Sequence, residues 1–314
     1  MPMEKKKSLA RQLPDWLADA SMDIGVALPT MALGATGALL RAWCDGIEDG
    51  PFSSISTGER VTFFNPEIGI ALAVAAARTS RVEIFGNLWV PMLHEPAMLA
   101  KQIATLDMVS DGRLTVGLGV GGRPHDYEAA GTNFARRHER LDELVDELRR
   151  LWSGGAAFEG ADPLGPSTSR PGGPRILAGA MGPKALQRAS TWADGITGFS
   201  LGDVGTEAGR LNSAAMRAWT NTGRTTPPRL VNGTFCVLGV DDPREVLTSF
   251  ATTYLGFLGE ELAGIIASGC RVSTEESLRT VLDEASAAGC DEFIIVPGTW
   301  DLGCLSAIAA VVRG

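Results

Sequence analysis

The sequence predicts an α/β protein folded as a closed (β/α)8 barrel, and three observations predict it. Residues 82–131 read as strand, helix, strand and glycine-rich turn, the βαβ unit from which parallel sheets are built. Strand-like and helix-like segments then alternate along most of the chain. A length of 314 residues also suits the single core of an α/β barrel. A doubly wound open sheet is the alternative assembly of the same elements.

Residues 1–21 form a loose or weakly helical leader, and residues 22–314 a single domain. The leader opens with basic MPMEKKK, but no apolar core follows, so it does not read as a signal peptide. Strand-like segments cover 22–28, 53–56, 82–90, 113–120, 175–179, 195–199, 230–238 and 292–297, which makes eight. After the second comes the longest nearly apolar run, 68–77 (IGIALAVAAA), too short to span a bilayer. The third strand, VEIFGNLWV, is followed by a helix over 97–109 that Ser110, Asp111 and Gly112 stop. In the fourth, RLTVGLGV, alternation places Leu114, Val116, Leu118 and Val120 on one face and Thr115, Gly117 and Gly119 on the other. Two glycines on one strand face predict that something bulky approaches there.

The helix over 134–152 carries Leu141, Leu144, Val145, Leu148, Leu151 and Trp152 on one stripe, with Thr132 or Asn133 as its cap. Residues 161–174 are rich in Pro, Gly and Ser and read as a long loop, a candidate lid. A helix starts at Pro183, which follows Gly182, and another covers 274–288.

Composition narrows the function. A net charge of −9 disfavours nucleic-acid binding. Five scattered cysteines without a CxxC pair indicate neither a zinc knuckle nor a disulfide framework, and predict reduced thiols and a cytoplasmic protein. The three histidines, His94, His125 and His138, have no metal-ligand spacing. His94 reads as a loop or capping residue; His125 follows the glycine turn, and approach to a substrate is its alternative and not its first reading.

Three motifs carry chemistry. GLGVGG, residues 117–122, fits the dinucleotide fingerprint, but Arg123 and Pro124 interrupt where a helix should begin. A structural glycine turn or a cofactor-facing barrel strand are the other readings. GFSLG, residues 198–202, fits a nucleophile elbow, yet all three histidines precede Ser200, against the order that the hydrolase triad requires. AGAMGPKAL, residues 178–186, ends a strand and starts a helix at Pro183. Free amides of Gly179, Ala180, Met181 and Gly182 suit a phosphate there, and Lys184 adds charge.

Taken together and in order, PAMLAKQIATLD (96–107), SDGRLTVGLGVGG (110–122), DYEAAG (126–131), RLDE (140–143), AGAMGPKAL (178–186) and WADG (192–195) resemble the bacterial luciferase-like family of flavin oxidoreductases. The resemblance implies a dimeric (β/α)8 barrel with its site at the strand C-terminal ends. It implies FMN or the deazaflavin coenzyme F-420 as cofactor. The FMN members insert oxygen, some with a separate flavin reductase as partner, and the deazaflavin members transfer hydride.

The resemblance further implies a bulge with a non-proline cis peptide at Gly86, Asn87 and Leu88 against the cofactor ring. Gly117 and Gly119 would lie beneath the ring, and Gly179 to Gly182 would hold the phosphate. Many relatives carry an acid followed by His after the second strand. Here Glu59 keeps the acid, but Arg60 stands in place of the imidazole and cannot release a proton. Glu59 is the catalytic candidate, or it simply pairs with Arg60. Pro29, Thr30, Trp89 and Tyr127 are expected to line the substrate pocket. The expected function is a flavin-dependent monooxygenase acting on a small organic substrate. The alternatives are a deazaflavin-dependent reductase or dehydrogenase, a phosphosugar isomerase on the same fold, and an idle flavin- or partner-binding barrel.

Overall fold

A computed structural model of the chain describes residues 22–314, so the leader lies outside the described residues. The order is β1 (Asp23–Ala27), α1 (Gly37–Glu48), β2 (Ser54–Thr57), α2 (Ile68–Arg78), β3 (Glu83–Trp89), α3 (Pro96–Val109), β4 (Leu114–Gly119), α4 (Pro124–Ala129), α5 (Arg137–Trp152), β5 (Arg175–Gly179), α6 (Pro183–Trp192), β6 (Gly195–Thr197), α7 (Val204–Asn221), β7 (Arg229–Cys236), α8 (Pro243–Leu255), α9 (Glu260–Gly269), α10 (Glu275–Ala287), β8 (Glu292–Pro297) and α11 (Leu302–Arg313). All eight strands are parallel. β1 pairs with β8, Asp23 opposite Glu292 and Val26 opposite Ile295, and this pairing closes the barrel. The open-sheet alternative is thereby excluded.

Two apolar layers hold the barrel, because each strand is buried on both faces. Outward residues such as Ile55, Ile84, Val116, Leu118 and Ile295 meet the helices. Inward residues Ala27, Phe85, Leu177, Val231 and Ile294 fill the lumen. The lumen floor is polar. Arg229 grips Glu83 through both Nη atoms, at 2.8 and 2.9 Å, and Glu292 at 2.7 Å. The other oxygen of Glu292 accepts the hydroxyls of Ser53 and Ser54. The five cysteines are buried and unpaired.

The structure corrects three sequence expectations and agrees with a fourth. The 161–174 loop precedes β5, so it lies at the strand N-terminal ends, opposite the barrel mouth. The buried Asp107 at the end of α3 pins it there by accepting the Ser169 amide at 2.6 Å and its hydroxyl at 3.1 Å. It is no lid over the mouth. The Arg123–Pro124 pair, read as an interruption, opens the short helix α4, with Pro124 at its first position. α5 starts at Arg137, three residues later than expected, after Arg136 in a left-handed conformation, and Asn133 instead caps the turn ahead of it through Ala135. As the histidine order implies, Ser200 is no nucleophile: it is buried, its hydroxyl donating to Asn232 at 3.0 Å, with no imidazole partner among the described residues. The nucleophile reading has no base.

Candidate cofactor and substrate site

β3 is regular from Glu83 to Gly86 and then breaks. Its register against β4 shifts between Gly86 and Trp89, and the Asn87–Leu88 peptide is cis. A bulge inserts a residue and reverses which side chains face in and out beyond it. Leu88 therefore swings over the inner face of β4 and β5. A Cβ on Gly119 would lie 2.9 Å from Leu88 Cδ2, and one on Gly179 2.3 Å from the same atom. A Cβ on Gly117 would meet the Gly86 carbonyl oxygen at 2.7 Å. The bulky neighbour expected at the β4 glycines is thus the bulge itself. Gly117 and Gly119 touch Leu88 and Gly86 directly, and a ligand at the mouth would rest on Leu88 and not on them.

The same reversal moves Trp89 outward. Its ring lies over Gly86, where a Cβ would come within 1.8 Å of a ring carbon, and it is 2% exposed. Trp89 is a packing residue with no surface to offer a substrate. Tyr127 is likewise 1% exposed. Its hydroxyl donates to the Val120 carbonyl at 2.5 Å and its ring meets Phe134 edge-on. Thr30, also buried, is hydrogen-bonded to Thr57 at 2.6 Å. The expected substrate wall is therefore core.

Asn87 points across the lumen and accepts the Thr197 hydroxyl at 2.9 Å. The loop after β2 fastens the bulge from the other side. Gly58 permits the approach, since a Cβ there would lie 2.8 Å from the Asn87 carbonyl oxygen. The Glu59 amide donates to the Leu88 carbonyl at 3.2 Å, and the Glu59 carboxylate accepts the Val90 amide at 2.7 Å. Its second oxygen lies 2.7 Å from His94 Nε2. Glu59 pairs with His94 and not with Arg60. Burial opposes a charged His94, but the hydrogen bond and charge of Glu59, with Glu67 farther off, outweigh it and raise the imidazole pKa. Sequence alone did not bring these two residues together, because nothing local links positions 35 apart.

The loop from Gly179 to Gly182 lies at this same mouth. Gly182 is the N-cap of α6, with no side chain capping it and Pro183 behind it. An uncapped helix start presents free amides and the positive end of its dipole. Beside it opens a cleft of about 770 Å3, bounded by Val120, His138, Leu141, Lys184, Arg188 and Trp192. Arg188 is paired with Asp142 at 2.8 Å. Burial and the charges of Arg137 and Arg188 lower the His138 pKa. Ala180 is buried, whereas Met181 is 67% exposed at the rim. His125 is exposed on α4.

A bulged third strand, packed through Leu88 on Gly179 at the end of β5, and an uncapped helix start one short loop further on put the candidate site of this (β/α)8 barrel at its strand C-terminal ends. The chain belongs to the luciferase-like monooxygenase family, which it matches over residues 22–309. It is 31% identical over 134 residues, 40% of this chain and 37% of the other, to the F-420-dependent hydroxymycolic acid dehydrogenase of Mycobacterium tuberculosis. Matches to curated relatives are partial, spanning 30% to 57% of their length. Among solved structures, the coenzyme F-420-dependent tetrahydromethanopterin reductase of Methanopyrus kandleri is similar with a TM-score of 0.73 at 16% identity, over 94% of this chain and 98% of that one. The monooxygenase RslO1 of Streptomyces bottropensis is similar with a TM-score of 0.70 at 22% identity, over 93% and 97%. Both show the shared fold. Among the described residues, no helix is long and apolar enough to cross a membrane, and no group of three or more His, Cys, Asp or Glu is placed to hold a metal ion.

Proposed function

We propose that this chain is an oxidoreductase that binds the deazaflavin coenzyme F-420 at the barrel mouth and exchanges hydride with a small organic substrate. One observation carries the reading: the bulge packs on the end of β5, from which the short loop into α6 departs, so closely that a Cβ built on Gly179 would lie 2.3 Å from Leu88 Cδ2, and bulge and helix start therefore share one end of the barrel. That arrangement fits a planar ring joined to an anionic tail. Residues Gly86 to Leu88 would back the ring, and the amides at Gly182 and the first turn of α6 would take the tail, with Lys184 beside it. The bound coenzyme would supply a two-electron hydride carrier. Glu59 fixes the bulge, and its partner His94 holds a proton beside it. The names of the relatives support the deazaflavin.

A second reading, an FMN-dependent monooxygenase, is favoured by the likeness to RslO1. A homodimer belongs to both readings, and a separate flavin reductase to the second. Seven tryptophans provide a signal for titration with each cofactor. Saturable quenching by F-420 with weaker quenching by FMN is expected. The reverse order supports the monooxygenase, and no binding of either removes the cofactor reading.

The tail site has its own test. Gly182 has backbone angles open to any residue, and a side chain there would meet nothing within 4 Å. Gly182→Asp would therefore be tolerated, changing helix stability by no more than a few tenths of a kcal/mol. Its carboxylate would occupy the amides and repel an anionic tail. The expected result is an unchanged thermal midpoint with cofactor affinity weakened about tenfold or more, the scale of losing one charge-assisted hydrogen bond. Undiminished affinity would place the tail elsewhere.

A further inference from the structure

Among the described residues, two arginines at the mouth have no charge partner. Arg60 follows Glu59 directly and so stands next to the bulge. Its guanidinium carbon lies 3.9 Å from the centroid of Phe63 and 5.8 Å from that of Tyr254. Arg123, from the turn after β4, lies 4.8 Å from the same Tyr254 ring and 4.3 Å from Phe257. The Nε of each is buried and makes no hydrogen bond among the described residues. Neither arginine forms an ion pair among them. Among the described residues the Arg60 side chain makes one hydrogen bond, at 3.5 Å to the Tyr254 carbonyl. The acid close by, Asp126, is already engaged by the amide and hydroxyl of Thr62 at 2.7 and 2.5 Å. Burial, then the charge of Arg123, pulls the Arg60 pKa down to about 10.

Two half-buried like charges with orphaned donors raise the energy of the ligand-free protein, and an anion between them lowers it. The surroundings define the rest of that anion. Phe199, Phe235 and Tyr254 form a continuous aromatic wall, with centroids 4.7 and 5.4 Å apart along it. Val61, Phe64, Phe257 and Leu258 stand 39% to 45% exposed around the rim.

We propose that Arg60 and Arg123 together bind the carboxylate of the substrate, which is an organic acid with an apolar or aromatic body. The planar forks of two guanidiniums match a carboxylate, and the aromatic wall takes the body. The inference rests on the reading of this mouth as an oxidoreductase site, and it names the substrate class. The position of the pair argues for the substrate and not the cofactor tail as source of the anion. The arginines come from the loops after β2 and β4, whereas the tail site lies after β5.

The test uses the cofactor-free chain, with 4-phenylbutyrate as probe and its uncharged amide as control. The acid is expected to raise the thermal midpoint and the amide to leave it unchanged. Arg60→Gln and Arg123→Gln are each expected to weaken binding of the acid about tenfold, the scale of one hydrogen bond to a charged group. Ligand-free midpoints of both variants should match or exceed the parent, because a repulsion has been relieved. If one does not fold, Arg60→Lys or Arg123→Lys, which keeps the charge without the fork, is expected to bind the acid with intermediate affinity. Equal binding of acid and amide overturns the proposal, as does unchanged binding of the acid in the Gln variants. Loss of F-420 quenching in those variants, with binding of the acid intact, assigns the anion to the coenzyme and also overturns it. Binding of the acid by a parent chain that binds neither cofactor sinks the cofactor reading while sustaining the anion site.

Discussion

Arg229→Met is expected to lower the unfolding free energy by about 3–5 kcal/mol at pH 8, the cost of leaving a buried charge without its partner. Arg229 holds Glu83 and Glu292 at the lumen floor, and the Glu292 side chain is wholly buried. Burial raises the Glu292 pKa even against the opposing charge of Arg229. Without that charge the carboxyl must rise further or ionise unpaired. A carboxyl whose folded pKa is raised contributes stability below its unfolded value of about 4.3, and that stability is lost as pH climbs through the folded value. The variant should therefore regain stability on acidification.

The parent behaves in the opposite sense at Glu83. Burial pushes that pKa up, but the hydrogen bonds and charge of Arg229, with Thr115 and Arg175, bring it below the ordinary value. Its contribution is present above the unfolded pKa and is lost as pH falls through the folded one. Between pH 8 and pH 5 the parent keeps this contribution while the variant regains stability at Glu292, so the two unfolding curves, measured in urea over that range, should converge. A gap independent of pH would mean that the floor is not held by these charges. Adding Glu292→Gln to Arg229→Met should recover part of the loss at pH 8, since the amide oxygen still accepts the Ser53 and Ser54 hydroxyls without a charge to bury.

Most of the barrel was legible because its strands are buried on both faces and so read as apolar runs between turn residues. β5 and β8 match their expected bounds, and the other strands fall within a residue or two of them. The bulge could be placed at Gly86 to Leu88 only through family resemblance. Its consequence could not be read at all, since alternation counted through it assigns Trp89 inward and Leu88 outward, and the structure has the reverse. The misplacement of the 161–174 loop is of another kind. Chain order already says that a segment preceding a parallel strand lies at the N-terminal end, and composition drew attention away from that. The pairings Glu59–His94 and Arg60–Arg123 join distant loops that only barrel closure brings together. Sequence offered no signal for them beyond the unusual arginine after Glu59.

Glu59→Gln is expected to weaken cofactor binding about tenfold or more, although in this structure Glu59 hydrogen-bonds the bulge and His94. The carboxylate accepts the Val90 amide just beyond the bulge while its own backbone amide holds the Leu88 carbonyl, so Glu59 grips the bulge at two points. Gln keeps the shape but loses the charge, and its two ends must now face a donor on one side and an imidazole on the other. The change also alters the pH dependence of stability. In the parent, Glu59 overcomes burial and raises the His94 pKa. That stability is complete below the unfolded pKa of about 6.5 and is lost as pH rises through the folded value above it. In the variant burial is opposed only by the more distant charge of Glu67, the His94 pKa falls, and the loss above pH 6.5 should shrink or vanish. His94→Gln separates the two roles. It should likewise abolish the pH dependence, yet leave cofactor affinity within about twofold of the parent, well under the cost of a charged hydrogen bond, because the grip on Val90 and Leu88 remains. Should His94→Gln lose the cofactor as fully as Glu59→Gln, the imidazole and not the carboxylate would be what steadies the bulge.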